Sequence, residues 1–148
     1  MINCRGGQWL ISEYDIARRP GTRGVYRVDS AIAFLTRDGI TVGALPGWFT
    51  DGASVPVFLR WWAPPFAGPY AAAAILHDIL YRAQPEGYSR AWADGVLLQA
   101  MCASKVRLPK ALAIYAGVRA GGWLAWRHNR KSVALYRNYI RVEQGGQE

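Results

Sequence analysis

The residues best equipped for chemistry fall in two short stretches. One is YAAAAILHDILYRAQPEGYSRAWAD, Tyr70 to Asp94, which carries an adjacent His77-Asp78 pair and then Asp94. The other is WFTDGASVP, Trp48 to Pro56, which carries Asp51 and Ser54 in a glycine-containing loop. An imidazole titrates near neutral pH and serves as acid, base or metal ligand; a carboxylate is a hard oxygen ligand. Asp51, His77, Asp78 and Asp94, gathered around one centre, would hold a divalent ion. One nitrogen with several oxygens suits Zn, Mn or Mg without choosing among them. Such an ion lowers the pKa of bound water and makes a nucleophile at neutral pH. The chemistry implied is hydrolysis. His77, Asp78, Asp94 and Ser54 are its catalytic candidates, and Tyr81 or Arg90 would orient an anionic substrate.

Each of these residues also has an ordinary structural use. Neighbouring helix positions point about 100° apart, so His77 and Asp78 flank a shared ligand at best from one helix edge. Asp78 is spaced i,i+4 from Arg82, and Arg90 stands at i−4 from Asp94; such pairs contribute roughly 0.3–0.5 kcal/mol on a surface. Asp94 is bracketed by Ala91, Trp92, Ala93, Val96, Leu97 and Leu98. That setting places it at a buried edge, where a charge needs partners. Asp51 and Ser54 suit a turn held by side-chain bonds to backbone amides. Ser54, His77 and either Asp78 or Asp94 can be written as a triad, but no G-x-S-x-G elbow surrounds the serine.

The elements that must position these groups follow from periodicity and punctuation. Gln8 to Ile16 alternates loosely and predicts a first strand. Val25 to Thr36 and Ile40 to Ala44 are β-rich on either side of Arg37-Asp38-Gly39, a hairpin signal in which both turn residues would take positive φ. Ile32, Phe34 and Val42 are the candidates for the face packed on helices. Residues 46–69 form an irregular loop, with a short helical turn expected at Val57 to Trp62. The first long helix runs about Tyr70 to Ala83. A Pro85/Gly87 turn follows, and then Ser89 caps a second helix to about Ala103. A third spans about Pro109 to Trp126, where Gly117, Gly121 and Gly122 suggest close helix packing. A last amphipathic helix spans about Lys131 to Val142. The expectation is one α+β domain over residues 1–148: a small N-terminal antiparallel β-meander (about 8–45) packed on a C-terminal bundle of three to four helices (70–142).

Composition bounds the remaining readings. The chain has 148 residues, enough for one domain with one core. Seven Trp and eight Tyr are many for that length, and rings left outside the core would line a cleft or a partner surface. The net charge of +8 permits attraction to nucleic acid, anionic lipid or an acidic protein. Arg127, Arg130, Lys131, Arg137 and Arg141 recur at helical steps near the C-terminus, so an anionic substrate or nucleic acid could be met there, although a solvated charged face is the simpler reading. Cys4 and Cys102 lie far apart, which indicates no disulfide scaffold and a reducing compartment. No signal peptide or membrane span is evident.

WFTDGASVP, GPYAAAAILHDILY and SRAWAD, in that order, resemble the DUF1353 family of small bacteriophage and prophage proteins. The resemblance covers about Ile40 to Trp123. It implies Asp51, Ser54, His77, Asp78, Tyr81, Arg90 and Asp94 as signature positions. It also implies a phage or prophage origin, often near tail or late genes, and so residence in the host cytoplasm or in the virion. The His-Asp pair followed by Asp94 is similar in outline to HD-type metal phosphohydrolases. Those carry a further upstream histidine, for which Asp51 would stand in, since the other histidine here, His128, lies downstream. Three functions follow as expectations: a metal-dependent hydrolase, a non-enzymatic virion (tail) or assembly component, and a small inhibitor of a host defence system.

Overall fold

A computed structural model describes residues 6–21, 25–50 and 69–145 of the chain. The strands β1 (Gln8–Ile11), β2 (Ile16–Arg18), β3 (Tyr26–Val28), β4 (Ile32–Leu35), β5 (Ile40–Ala44) and β6 (Phe49–Thr50) come first. The helices α1 (Ala71–Ala83), α2 (Arg90–Ala103), α3 (Leu108–Asn129) and the short α4 (Val133–Tyr136) follow, and β7 (Ile140–Gln144) closes the order. This is the α+β architecture read from the sequence. The expected turn at Val57 to Trp62, with Asp51 and Ser54, lies outside the described residues.

Two antiparallel sheets take the strands, in the orders β1-β4-β5-β7 and β2-β3-β6. The stretch Gln8 to Ile16, expected as one strand, is divided between the two sheets. Val25 to Thr36 divides in the same way, into β3 and β4. The β4–β5 hairpin forms where Asp38-Gly39 indicated. Only Gly39 takes positive φ (80°), while Asp38 does not. Gly39 N–H donates to Thr36 C=O and Thr36 N–H donates to Ile40 C=O, a three-residue loop with a glycine bulge.

Ile32, Phe34 and Val42 are fully buried, as their alternation required. They share one core with α1, whose residues are buried on almost every side. Ile75, Leu76, Ile79 and Leu80 of α1, Val96 and Met101 of α2, and Ile114 and Val118 of α3 complete one core. A helix buried nearly all round sits in the middle of a body, so the polar His77 and Asp78 it carries must find partners there. Ser89 caps α2 by accepting a bond from Trp92 N–H at 3.1 Å.

The last expected helix is corrected. After α3 the chain passes through a 3-10 turn, α4 and a second 3-10 turn, and residues 140–144 form a strand rather than helix. The physical reason lies in β5. Its outer edge would expose unpaired N–H and C=O groups, and the alternating Ile140-Arg141-Val142-Glu143 satisfies them in register, Val42 facing Val142 and Ala44 facing Ile140. The cysteine expectation is corrected as well, because Cys102 is disulfide-bonded.

Candidate functional site

The face of α1 that meets α2 carries His77 and, one turn on, Tyr81. Both point at Asp94 of α2. His77 Nε2 lies 2.7 Å from Asp94 Oδ1, and the Tyr81 hydroxyl donates to the same oxygen at 2.6 Å. The other oxygen, Oδ2, accepts from Arg119 of α3 at 2.8 Å and from Arg90 at 3.3 Å. Arg90 also donates to the carbonyls of Val118 and Arg119, tying α2 to α3. Three helices therefore meet on one carboxylate.

Burial is nearly complete. Asp94 is 0% exposed and His77 1%. Burial alone would raise the Asp94 pKa, but the donors from His77, Tyr81 and Arg119 outweigh it and hold the group below the usual carboxylate value. An ionised Asp94 only accepts, so the His77 tautomer follows: Nε2–H donates, and Nδ1 is left without a hydrogen bond among the described residues. The Tyr81 hydroxyl is pushed well up by its burial and by the neighbouring carboxylate, so it stays protonated and donating. The Arg119 guanidinium is raised by its bond to Asp94. Rings enclose the cluster: His77 and Tyr81 lie 4.2 Å apart between centroids, and Tyr81 meets the edge of Trp126 at 5.2 Å.

Gly122 of α3 makes this approach possible. A Cβ there would collide with the Tyr81 hydroxyl and lie 3.2 Å from Cζ. Of the glycines expected to allow close helix packing, Gly122 does so, while a Cβ on Gly121 would meet nothing within 4 Å.

Asp78 goes elsewhere. It points toward β6 and α4, where Oδ2 accepts from Thr50 at 2.5 Å and from Arg82 Nε at 2.9 Å. Arg82 extends this second cluster to the Tyr136 hydroxyl at 3.3 Å and lies over that ring. The structure thus joins His77 to Asp94 and sends Asp78 to a separate centre, as the angular step between adjacent helix residues allows. Tyr81 and Arg90, assigned from sequence to a substrate, both bind Asp94.

Of the four residues expected to hold a divalent ion, Asp51 lies outside the described residues, His77 and Asp94 meet, and Asp78 belongs to the separate cluster. Among the described residues no three His, Cys, Asp or Glu side chains gather to hold a metal. Both oxygens of Asp94 are occupied by donors, two of them guanidinium groups that would repel a cation.

Sequence reasoning missed Arg119, Thr50 and Tyr136. Arg119 carried one faint signal, a charge interrupting an apolar helix stretch. Thr50 and Tyr136 carried none, because their roles arise only when distant elements meet.

A family model described as a protein of unknown function, DUF1353, matches residues 26–118. The chain belongs to the DUF1353 family. The matched span holds His77, Asp78, Tyr81, Arg90 and Asp94, so the buried network lies wholly inside the DUF1353 region except for Arg119 and Gly122, which follow it. No curated protein and no solved structure matches the chain. Among the described residues no helix is long and apolar enough to cross a membrane.

Proposed function

We propose that this DUF1353 protein is a non-enzymatic assembly module of a phage particle, presenting the outer face of α3 to a partner protein. The observation that carries this reading is a stripe of exposed residues at helical spacing: Ala116, Ala120, Trp123, Leu124, Arg127 and His128. Trp123 is 49% and Leu124 60% exposed, while α3 buries its opposite face in the core. Trp and Arg are the side chains that most often anchor protein interfaces, and small residues beside them let a partner backbone come close. The excess of positive charge favours a partner surface with an apolar recess rimmed by Asp or Glu. Asp94 supports the same reading, since its bonds spend the strongest polar groups on holding α3 in place. The test is mass spectrometry of purified particles carrying wild-type chain or Trp123→Asp. Wild-type chain in the particle, and a folded Trp123→Asp chain missing from it, is the expected result. Particles without the wild-type chain contradict the reading.

A second reading rests on the His77–Asp94 pair. A carboxylate that fixes one imidazole nitrogen leaves the other to act as a base, the arrangement used in hydrolases. Here His77 Nδ1 would take that role; Asp51 and Ser54, its expected companions, lie outside the described residues. Replacing Ser54 by Ala would then abolish a hydrolytic activity at unchanged stability, whereas the assembly reading expects incorporation to be unaffected.

A further inference from the structure

We propose that a cavity between β1, the start of α1 and the end of α2 binds a small ring-bearing anion, its ring on an aromatic wall and its charge on Lys105. The cavity measures about 370 Å³ and is lined by Trp9, Ser12, Tyr14, Ala72, Ser104 and Lys105, among others. That is the size of a small-molecule site. Its walls combine two aromatic side chains, two hydroxyls and one ammonium group. A flat ring or the apolar face of a sugar suits the first, and a carboxylate or monophosphate suits the last.

The wall is built in place. Trp9 is fixed by donation of its Nε1–H to Ser104 Oγ at 2.9 Å and by an edge contact with Phe34 at 5.1 Å. The Ser104 hydroxyl keeps its own proton to donate.

Lys105 supplies the independent observation. Its backbone sits at φ 61°, in the left-handed region, just past the Ser104 cap of α2. Val106 N–H donates to Met101 C=O and Lys105 N–H to Cys102 C=O, the double closure in which glycine is the usual occupant. The other described non-glycine residue at positive φ is Gln84, which ends α1. Its side chain explains its presence, because Nε2 donates to the Trp126 carbonyl at 2.6 Å. Lys105 lines the cavity, and its ammonium has no hydrogen bond or ion pair among the described residues. A strained backbone that carries an unspent charge beside an aromatic pocket points to a ligand.

The experiment follows the Trp9 indole N–H resonance while adenosine 5′-monophosphate, glucuronate or inorganic phosphate is added to the full chain, with Lys105→Gly and Lys105→Asn compared. Both variants tolerate the left-handed backbone, so both fold, and Lys105→Gly melts at the same or a higher temperature. Saturable shifts at millimolar concentration, weakened about tenfold in both variants, are expected. Response to the nucleotide alone assigns a nucleotide source, response to glucuronate alone assigns an acidic sugar, and response to both supports the shared chemistry. No response to either probe, or equal binding without Lys105, overturns the proposal. Phosphate binding as tight as either ring-bearing probe overturns the aromatic half.

Discussion

Replacing Gly122 by alanine tests the contact that lets α3 close on α1. Helix propensity alone favours alanine by about 1 kcal/mol. Against this, the new Cβ collides with the Tyr81 hydroxyl and presses on its ring, with Cζ at 3.2 Å and Cε2 at 3.3 Å. Tyr81 must rotate, and Asp94 then loses a donor at 2.6 Å. A hydrogen bond to a charged group contributes about 1.5–3 kcal/mol, and overpacking costs about 1–3 kcal/mol more. The balance is a net loss of about 1.5–5 kcal/mol, which for a chain of this length lowers Tm by roughly 5–20 °C. Thermal and urea unfolding of the single variants and of the Gly122→Ala, Tyr81→Phe double variant provide the assay. Removal of the hydroxyl relieves the collision, so the double variant should be more stable than the sum of the two singles by about 1 kcal/mol or more. If Gly122→Ala proves neutral or stabilising, or if the two changes simply add, the packing argument fails.

Other outcomes follow from the same geometry. Asp94→Asn leaves two arginines and a histidine facing an uncharged amide, and chemical denaturation should show a loss of about 3–5 kcal/mol. The pKa of Asp94 is lowered in the fold, so its contribution is present above the ordinary carboxylate value of about 4 and is lost as pH falls below it; acid titration of Asp94→Asn should show a shallower decline there. Tyr70 is pushed up to about 12, by burial first and the nearby Tyr14 second. A raised tyrosine favours folding below its ordinary pKa and loses that benefit as pH rises from about 10 toward 12, so Tyr70→Phe should flatten the alkaline unfolding curve. Trp48 is buried and its Nε1–H has no acceptor among the described residues; Trp48→Phe should therefore change stability by only about 1 kcal/mol, measured by urea unfolding, far less than a Trp-to-Ala truncation.

The helices were legible because their signals are local. Ser89 before an apolar run, Pro85-Gly87 between two runs and Asp38-Gly39 between β-branched runs each name a boundary without knowledge of the rest. The i,i+4 spacing of Asp78 and Arg82 is also a local signal, and that pair is present at 2.9 Å. What failed was long-range competition. Residues 140–144 carry both a helical and an alternating pattern, and the open edge of β5 decides between them. Breaking Gln8 to Ile16 between two sheets likewise depends on partners that arrive later in the chain. In the site, His77 and Asp94 were suggestive by type, but the sequence could not say that Arg119 would complete them or that Asp78 would turn to Thr50. Two cysteines so far apart in sequence gave no sign that Cys102 is bonded.

The account stands on Asp94 as the carboxylate that fixes α3, with its outer stripe, against the other two helices. A double-mutant cycle between Asp94→Asn and Arg119→Met, read by urea unfolding, measures that link across α2 and α3. A favourable coupling of about 1–3 kcal/mol is the expected result. Additivity within about 0.5 kcal/mol, with Arg119→Met no less stable than wild type, would mean that Arg119 only brushes Asp94 and that α3 is held by apolar packing alone.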